Sequence, residues 1–340
     1  MTEELPGLDL DRLRAHVERE VPGLVSGELS GTRITGGKSN LTYVVTDGVG
    51  SWVVRRPPLG HVLATAHDMS REYKVMTALR DTAVPVPRTY LLCEDTEVLG
   101  APFFVMEHVA GTPYRTAAEF SALGPDGVRG VARSLITTLG DLHAVDPADV
   151  GLSDFGRPEG FLERQVRRWS KQLDASRSRE IAGIDELHKK LGATIPESGE
   201  AAIVHGDYRL DNVLIAEDGS LTAVLDWEMA TLGDPLVDLG LMLVYKEQPV
   251  IDDAATPATS VEGFPDSAEL VEMYATTTGR DVSRLGWYVA FGCFKLAVIA
   301  EGIHYRYSQG LTVGAGFDTI GQIVPLLVDR AHTMLKEDQD

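Results

Sequence analysis

The stretch His205-Gly-Asp-Tyr-Arg-Leu-Asp-Asn212, followed by Val224-Leu-Asp-Trp-Glu228, decides how this chain is read. Asp207, Asn212 and Asp226 fall between short apolar runs, Ala202–Val204, Val213–Ile215 and Leu221–Leu225, which read as strands. One carboxylate there can steer the proton of an incoming hydroxyl. An amide oxygen and a second carboxylate are hard ligands suited to Mg2+ held against ATP phosphates. Four residues separate Asp207 from Asn212, which is the D-x-x-x-x-N spacing of a phosphoryl-transfer catalytic loop. Asp226 lies fourteen positions beyond Asn212, past a Glu217-Asp218-Gly219 turn, and a hairpin of that length can return it to Asn212's side. Taken singly, each residue reads as a turn cap. Three of them at this spacing, flanked by apolar strands, point to chemistry.

Outward from that stretch the chain divides by pattern. Asp9–Glu20 reads as a helix with Leu10, Leu13 and Val17 on one face. Strands follow at Leu29–Thr35, Leu41–Thr46 and Ser51–Arg55, broken by Gly36-Gly37 and Asp47-Gly48 turns. A helix over Met69–Leu79 and strands over Arg88–Cys93 and Phe103–Glu107 complete a small sheet with one inserted helix. Beyond Val109-Ala-Gly-Thr-Pro113 the pattern turns helical: Val128–His143, Phe161–Leu173, Arg179–Leu191, Asp234–Val244, Ala268–Thr277, Val282–Tyr307 and Phe317–Lys336. Gln248–Pro265, rich in Pro, Asp, Ala and Thr, reads as an exposed loop. The expectation is an α+β chain with a β-rich N-lobe over 1–108 and a mostly helical C-lobe over 109–340, the latter carrying the catalytic loop and acceptor site.

HGDYRLDNVLI and VLDWEMATLGDPLVDLG resemble the catalytic loop, metal loop and following helix of the aminoglycoside phosphotransferase and choline kinase family. They are most similar to the branch found as a domain fused to acyl-CoA dehydrogenases. The resemblance covers roughly residues 25 to 310 and implies a protein-kinase-like two-lobed fold. It implies that Asp207 is the catalytic base and that Asn212 and Asp226 are Mg2+ ligands. It makes His205 a loop support, Asp234 and Asp238 caps or braces, and Trp227 a packing residue where a DFG-type motif has Phe.

The N-lobe supplies candidates for holding the nucleotide. Gly36, Gly37, Ser39 and Asn40 stand where a phosphate-covering loop is required, and two glycines let the backbone approach phosphates closely. A plain hairpin turn is the alternative. Thr32-Arg-Ile-Thr-Gly-Gly-Lys-Ser39 nearly matches a P-loop, but Thr32 replaces the first glycine and a β-rich segment follows where a helix is needed, so that reading fails. Kinases pair a strand Lys with a helix Glu. Here Arg55 and Glu72 occupy those places, with a surface ion pair as the alternative, and strand alternation sets Arg55 and Arg56 on opposite faces. The resemblance places Met106, and the backbone near Glu107 and Val109, beside the nucleotide base; core packing explains Phe104 and Met106 equally well.

Composition narrows the partners. The 340 residues carry 31 basic and 51 acidic side chains, a net charge of −20, which argues against a nucleic-acid binder and fits solubility or attraction of a cationic substrate. Two cysteines, Cys93 and Cys293, lack metal or disulfide spacing and read as buried thiols in a reducing compartment. The N-terminus is acidic and amphipathic, unlike a signal peptide, and no run reads as a membrane span, so the expected location is the cytoplasm. The resulting expectation is an ATP-dependent (or GTP-dependent), Mg2+-dependent phosphotransferase acting on a small-molecule hydroxyl, aminoglycoside-like or a hydroxylated acid or acyl group. A nucleotide-binding pseudokinase with a regulatory role is the alternative. Acceptor candidates are Tyr208, Arg209, Glu228, Trp287, Lys295, Glu301, His304, Tyr305 and Arg306. Of these, Lys295, Glu301 and His304 read equally as an exposed helix face.

Overall fold

Residues 5–34, 40–59, 68–247, 257–311 and 317–338 are described by a computed structural model. The chain forms two compact units: residues 1–112 together with 222–230, and residues 113–221 together with 231–340.

In the first unit, α1 (Leu10–Glu20) starts where the Asp9 carboxylate accepts the Arg12 N–H at 3.0 Å. Strands β1 (Ser30–Arg33), β2 (Leu41–Thr46) and β3 (Ser51–Arg56) follow. The β2–β3 turn is set by Asp47, whose Oδ1 accepts from the N–H groups of Val49 and Gly50 at 2.9 and 2.7 Å, with Gly48 at φ +85°. The passage of the chain into β2 removes the P-loop reading, which requires a helix there. Helix α2 (Met69–Leu79) is capped by Asp68, and β4 (Thr89–Cys93) leads to a single turn, α3 (Thr96–Leu99), and then to β5 (Phe103–Glu107). The sheet order is β1-β2-β3-β5-β4, antiparallel throughout. Leu13 and Val17 of α1 pack with Tyr43, Val54, Phe103 and Val105 on one face, as the alternating burial of β2 requires. Among the ties that bind residues 222–230 into this unit are Val224 N–H to Pro85 O at 2.8 Å, the Arg71 guanidinium to Ala230 O at 2.9 Å, and Thr222 Oγ1 to Ala110 O at 2.9 Å.

The second unit is largely helical. It opens with α4 (Ala117–Ser121), α5 (Gly124–Ala144), α6 (Phe161–Ser176) and α7 (Ile184–Ala193). The strands β6 (Ala202–Val204), β7 (Val213–Ile215), β8 (Leu221–Val224, whose last three residues belong to the first unit) and β9 (Thr231–Gly233) follow. The helices α8 (Leu236–Lys246), α9 (Ser267–Thr278), α10 (Leu285–Ser308) and α11 (Ile323–Glu337) complete it. β6 and β9 pair antiparallel, Ala202 opposite Gly233. Sequence patterning misses α3, α4 and β9, which are each too short for periodicity to register. It also starts α7 five residues early, because Arg179 leaves the helical path to bind Glu301.

The expectation that no segment reaches the length and apolarity of a membrane span is corrected by α10. Its 24 residues pass both measures, yet 83% of its apolar window is buried inside the protein, as befits a core helix that is hydrophobic all round.

Candidate active site

The sequence places Asp207 just after β6 and Asn212 at the end of a 3-10 turn, Leu210–Asn212. The structure brings these two together. Asn212 Nδ2 donates to Asp207 O at 2.9 Å and to Asp207 Oδ2 at 3.1 Å. With its amide nitrogen committed in this way, Asn212 keeps its Oδ1 as the oxygen available to a cation. The other Asp207 oxygen, Oδ1, accepts from Tyr245 Oη at 2.8 Å. Arg209 lies over the Tyr245 ring at 4.2 Å and is ion-paired with Asp211. Burial raises the Tyr245 phenol above its ordinary value, and the Asp207 charge adds to this, so Tyr245 keeps its proton and donates it to Asp207. Tyr245 lies on α8 in the run Leu-Met-Leu-Val-Tyr-Lys, which reads as core; nothing in the sequence marks it as a partner of Asp207.

The loop is anchored from below. Asp238, fully buried on α8, accepts the His205 N–H and the Gly206 N–H, both at 2.7 Å, and His143 Nε2 approaches it at 3.3 Å. Burial opposes its charge, but the hydrogen bonds from His143 and the loop backbone prevail and hold the carboxyl below its usual range. His143, pushed down by burial, continues the chain to Tyr274 Oη at 2.7 Å. His205 Nδ1 receives the Asp207 N–H at 3.2 Å, in keeping with a supporting role. Asp234 accepts the Leu236 N–H at 3.1 Å and Tyr288 Oη at 2.7 Å, which makes it a brace at the start of α8.

Within the N-terminal unit, Arg55 and not Arg56 takes the functional position. Arg55 Nε donates to Glu72 Oε2 at 2.9 Å and its Nη2 pairs with Asp226 Oδ1. This is no surface ion pair, since the Arg55 and Glu72 side chains are 13% and 2% exposed. Burial pushes the Glu72 carboxyl up, against the pull of Arg55. Arg55 stays firmly protonated despite its own burial, because Glu72 and Asp226 flank it. The planar fork of arginine lets one cation hold two carboxylates, which a lysine ammonium does less rigidly. Arg56 turns the other way and binds the carbonyls of Gly7 and Leu99. Removal of Glu72 is expected to leave Arg55 buried with Asp226 as its only hydrogen-bonded carboxylate. Glu72→Ala should therefore cost about 3–5 kcal/mol in urea unfolding, and a loss below about 1 kcal/mol would show that the pair does not hold the unit together.

Asp226 is the only non-glycine among the described residues with a positive φ, +66°. Aspartate tolerates that region, at some cost, where the surroundings fix it. Trp227 is fully buried and donates Nε1–H to Val224 O at 3.0 Å, a packing residue as expected. Asn40, buried at the start of β2, donates to Glu228 Oε2 at 3.1 Å, while its Oδ1 has no hydrogen-bond partner among the described residues. Gly36, Gly37 and Ser39 lie outside the described residues. Met106 is buried in β5, and the Glu107 N–H is committed to Arg88 O at 2.8 Å, so it is not free for a base.

Several acceptor candidates prove structural. Tyr208 is buried with Oη on Leu135 O, and Trp287 is buried with Nε1 on Leu191 O. Glu301 is buried and accepts from Ser178 and Arg179. Lys295 is also buried, so the exposed-face reading of Lys295 and Glu301 is overturned.

Known proteins match this arrangement. Acyl-CoA dehydrogenase family member 11 of Rattus norvegicus is 36% identical over 315 residues, 89% of this chain but 40% of that protein; the chain spans about two fifths of its length. A solved Ralstonia eutropha protein, designated a candidate aminoglycoside phosphotransferase, superposes with a TM-score of 0.82 at 32% identity, covering 97% of this chain and 98% of its own. Aminoglycoside phosphotransferase APH(4)-Ia, solved with ADP and hygromycin B, shares the fold at a TM-score of 0.61 and 14% identity, covering 95% and 97%. The kinase-like α+β fold, with a β-rich first part and a helical second, is the one these structures share. A model of the APH phosphotransferase enzyme family matches residues 30–284, and the chain belongs to that family.

Proposed function

We propose that the protein transfers the γ-phosphate of ATP to a hydroxyl of a small molecule, with Mg2+ as cofactor. The observation that carries this reading is the Asp207 carboxylate, oriented through one oxygen by Tyr245 and through the other by Asn212, on a loop anchored by Asp238. Asp207 takes the proton of the acceptor hydroxyl as its oxygen forms the new O–P bond; the bond from the γ-phosphorus to the bridging oxygen breaks, and ADP leaves with that electron pair. APH(4)-Ia, which binds ADP and hygromycin B, supports both a nucleotide and a small-molecule acceptor.

The oxygen donors of the two loop motifs suit a magnesium ion. Among the described residues no group of three or more His, Cys, Asp or Glu side chains could cage a metal. Asn212 Oδ1 and the Asp226 carboxylate are each hard oxygen donors of the kind Mg2+ takes together with waters and phosphate oxygens. That assignment rests on the motif HGDYRLDN and VLDWE. When bound, the ion neutralises charge on the transferring phosphate. Arg55 holds Asp226 and answers to the strand lysine of kinases, with charge to offer a nucleotide phosphate. Both cysteines are free and buried, which suits a reducing compartment, and we place the enzyme in the cytoplasm.

ATP is expected to raise the melting temperature when Mg2+ is present and much less when it is chelated. At a hundred times the dissociation constant the stabilisation is about 2.7 kcal/mol, read by differential scanning fluorimetry. The transfer itself is tested by a radiolabelled-phosphate screen over aminoglycosides, amino alcohols, hydroxy acids and hydroxyacyl thioesters. ATP binding with no acceptor labelled across the screen would fit a regulatory module instead.

A further inference from the structure

Lys295 is unusual for a buried lysine. It lies on α10 with 8% of its surface exposed, and its Nζ donates to the Gly206 carbonyl at 2.6 Å, one residue before Asp207. It also lies 5.5 Å from the centre of the Trp169 ring, and the exposed Arg168 guanidinium sits 5.8 Å from the same ring. It makes no ion pair with any carboxylate among the described residues. An ammonium has three N–H donors, and one is accounted for. Burying such a charge is costly unless something repays it. If the need were only to tie Gly206 in place, a neutral donor would serve at lower cost. Burial does weaken the charged form here, and Arg168 adds to this, while Asp207 and Asp238 act the other way. The Trp169 ring and the two carboxylates offset part of the cost of burial, and the N–H donors not taken by Gly206 are left for a ligand that carries negative charge.

We propose that Lys295 selects the acceptor: its ammonium receives an anionic group, carboxylate or phosphate, of the molecule whose hydroxyl meets Asp207. This deepens the phosphotransferase reading and rests on Asp207 as the group that meets the acceptor hydroxyl. It runs against the overall charge of −20, which by itself favours cationic acceptors. Lys295 is a local exception placed next to the reacting loop. The acceptor is accordingly expected to carry its anionic group near the hydroxyl, since the carbonyl that holds Lys295 belongs to the residue before Asp207. A polycation such as an aminoglycoside would meet like charge from Lys295 and Arg168 at that point.

The test uses the full chain with matched probes: 3-hydroxybutyrate against 1,3-butanediol, and glycerol 3-phosphate against glycerol, with kanamycin as the cationic comparison. Calorimetric titration is expected to show at least one anion bound about tenfold or more tighter than its neutral partner, as a charge-assisted hydrogen bond provides. The two pairs distinguish carboxylate from phosphate. Lys295→Met should abolish that preference while leaving ATP binding intact, and Lys295→Arg should keep part of it. A role confined to holding the loop would lower binding of acid and neutral probe alike and leave their ratio unmoved. Equal binding of both members of both pairs by the unaltered protein overturns the proposal, as does a preference that survives Lys295→Met. If Lys295→Met does not fold, the unaltered protein and Lys295→Arg decide by the same ratio. If no probe is phosphorylated at all, the transfer reaction fails, while the binding ratio still judges Lys295 separately.

Discussion

Replacing Asp207 with asparagine is expected to lower kcat by about 10²- to 10⁴-fold, the usual contribution of a positioned general base. The change is nearly isosteric. The Tyr245 Oη–H can still donate to the new amide oxygen, as it does to Asp207 Oδ1 at 2.8 Å. The amide nitrogen, however, would then face Asn212 Nδ2, donor against donor, at the position where Oδ2 now accepts at 3.1 Å. Asp207→Ala, which avoids that clash, should therefore be measured alongside it. Asp207→Ala is expected to melt close to the unaltered protein, Asp207→Asn somewhat below it, and both are expected to bind ATP normally, so that the loss resides in the chemical step. Turnover within tenfold of normal in both variants would remove Asp207 from the role of base and, with it, the reading of the loop.

A large loss of stability is expected from Asp238→Ala. Asp238 satisfies the N–H groups of buried His205 and half-buried Gly206 and faces buried His143. Taking the carboxylate away strands two backbone donors, each worth about 1–3 kcal/mol when buried without a partner. A total of about 3–5 kcal/mol is expected in denaturant unfolding, and a variant less than 1 kcal/mol weaker than the parent would show that water replaces the anchor. The same cluster sets a pH dependence. His143 is held below its ordinary 6.5, so the unfolded chain takes up a proton there before the folded protein does. Stability should fall as pH drops from 6.5 toward the folded value. Asp238 is held below its ordinary 3.8, so its stabilisation is intact above that pH and is lost as pH falls further, through its folded value. His143→Gln should flatten the upper part of this profile and shrink the lower part, because the His143 charge that helps hold Asp238 down is removed.

What could be read in advance divides along a physical line. Asp207 and Asn212 are five positions apart, and their joint role follows from local geometry, so spacing reveals them. Arg55 and Glu72 are 17 apart, and strand-then-helix order is enough to pair them, although not to show how deeply the pair is buried. Tyr245 and Lys295 reach the loop from helices 38 and 89 positions further on. Each lies in an apolar run whose periodicity announces only a core. Patterning assigns a residue to a face, but it carries no information on which distant backbone atom that face will meet. Lys295 was open to reading as solvated because lysines mostly are. The elements that escaped, α3, α4 and β9, are a single turn or three residues long, below the reach of any repeat.

The nine residues from 222 to 230 also constrain how the molecule can be made. The N-terminal unit receives its Asp226, its Trp227 and the strand that hydrogen-bonds Pro85 only after the chain has passed through more than a hundred residues of the other unit. A growing polypeptide that had emerged as far as residue 112 would therefore hold an unfinished core, with Arg55 buried beside Glu72 and lacking its second carboxylate. Contacts this distant in sequence close slowly. A fragment cut at residue 112 should on this account be a poor folder, and a successful one would have to supply residues 222–230 as a separate peptide or splice them onto its end.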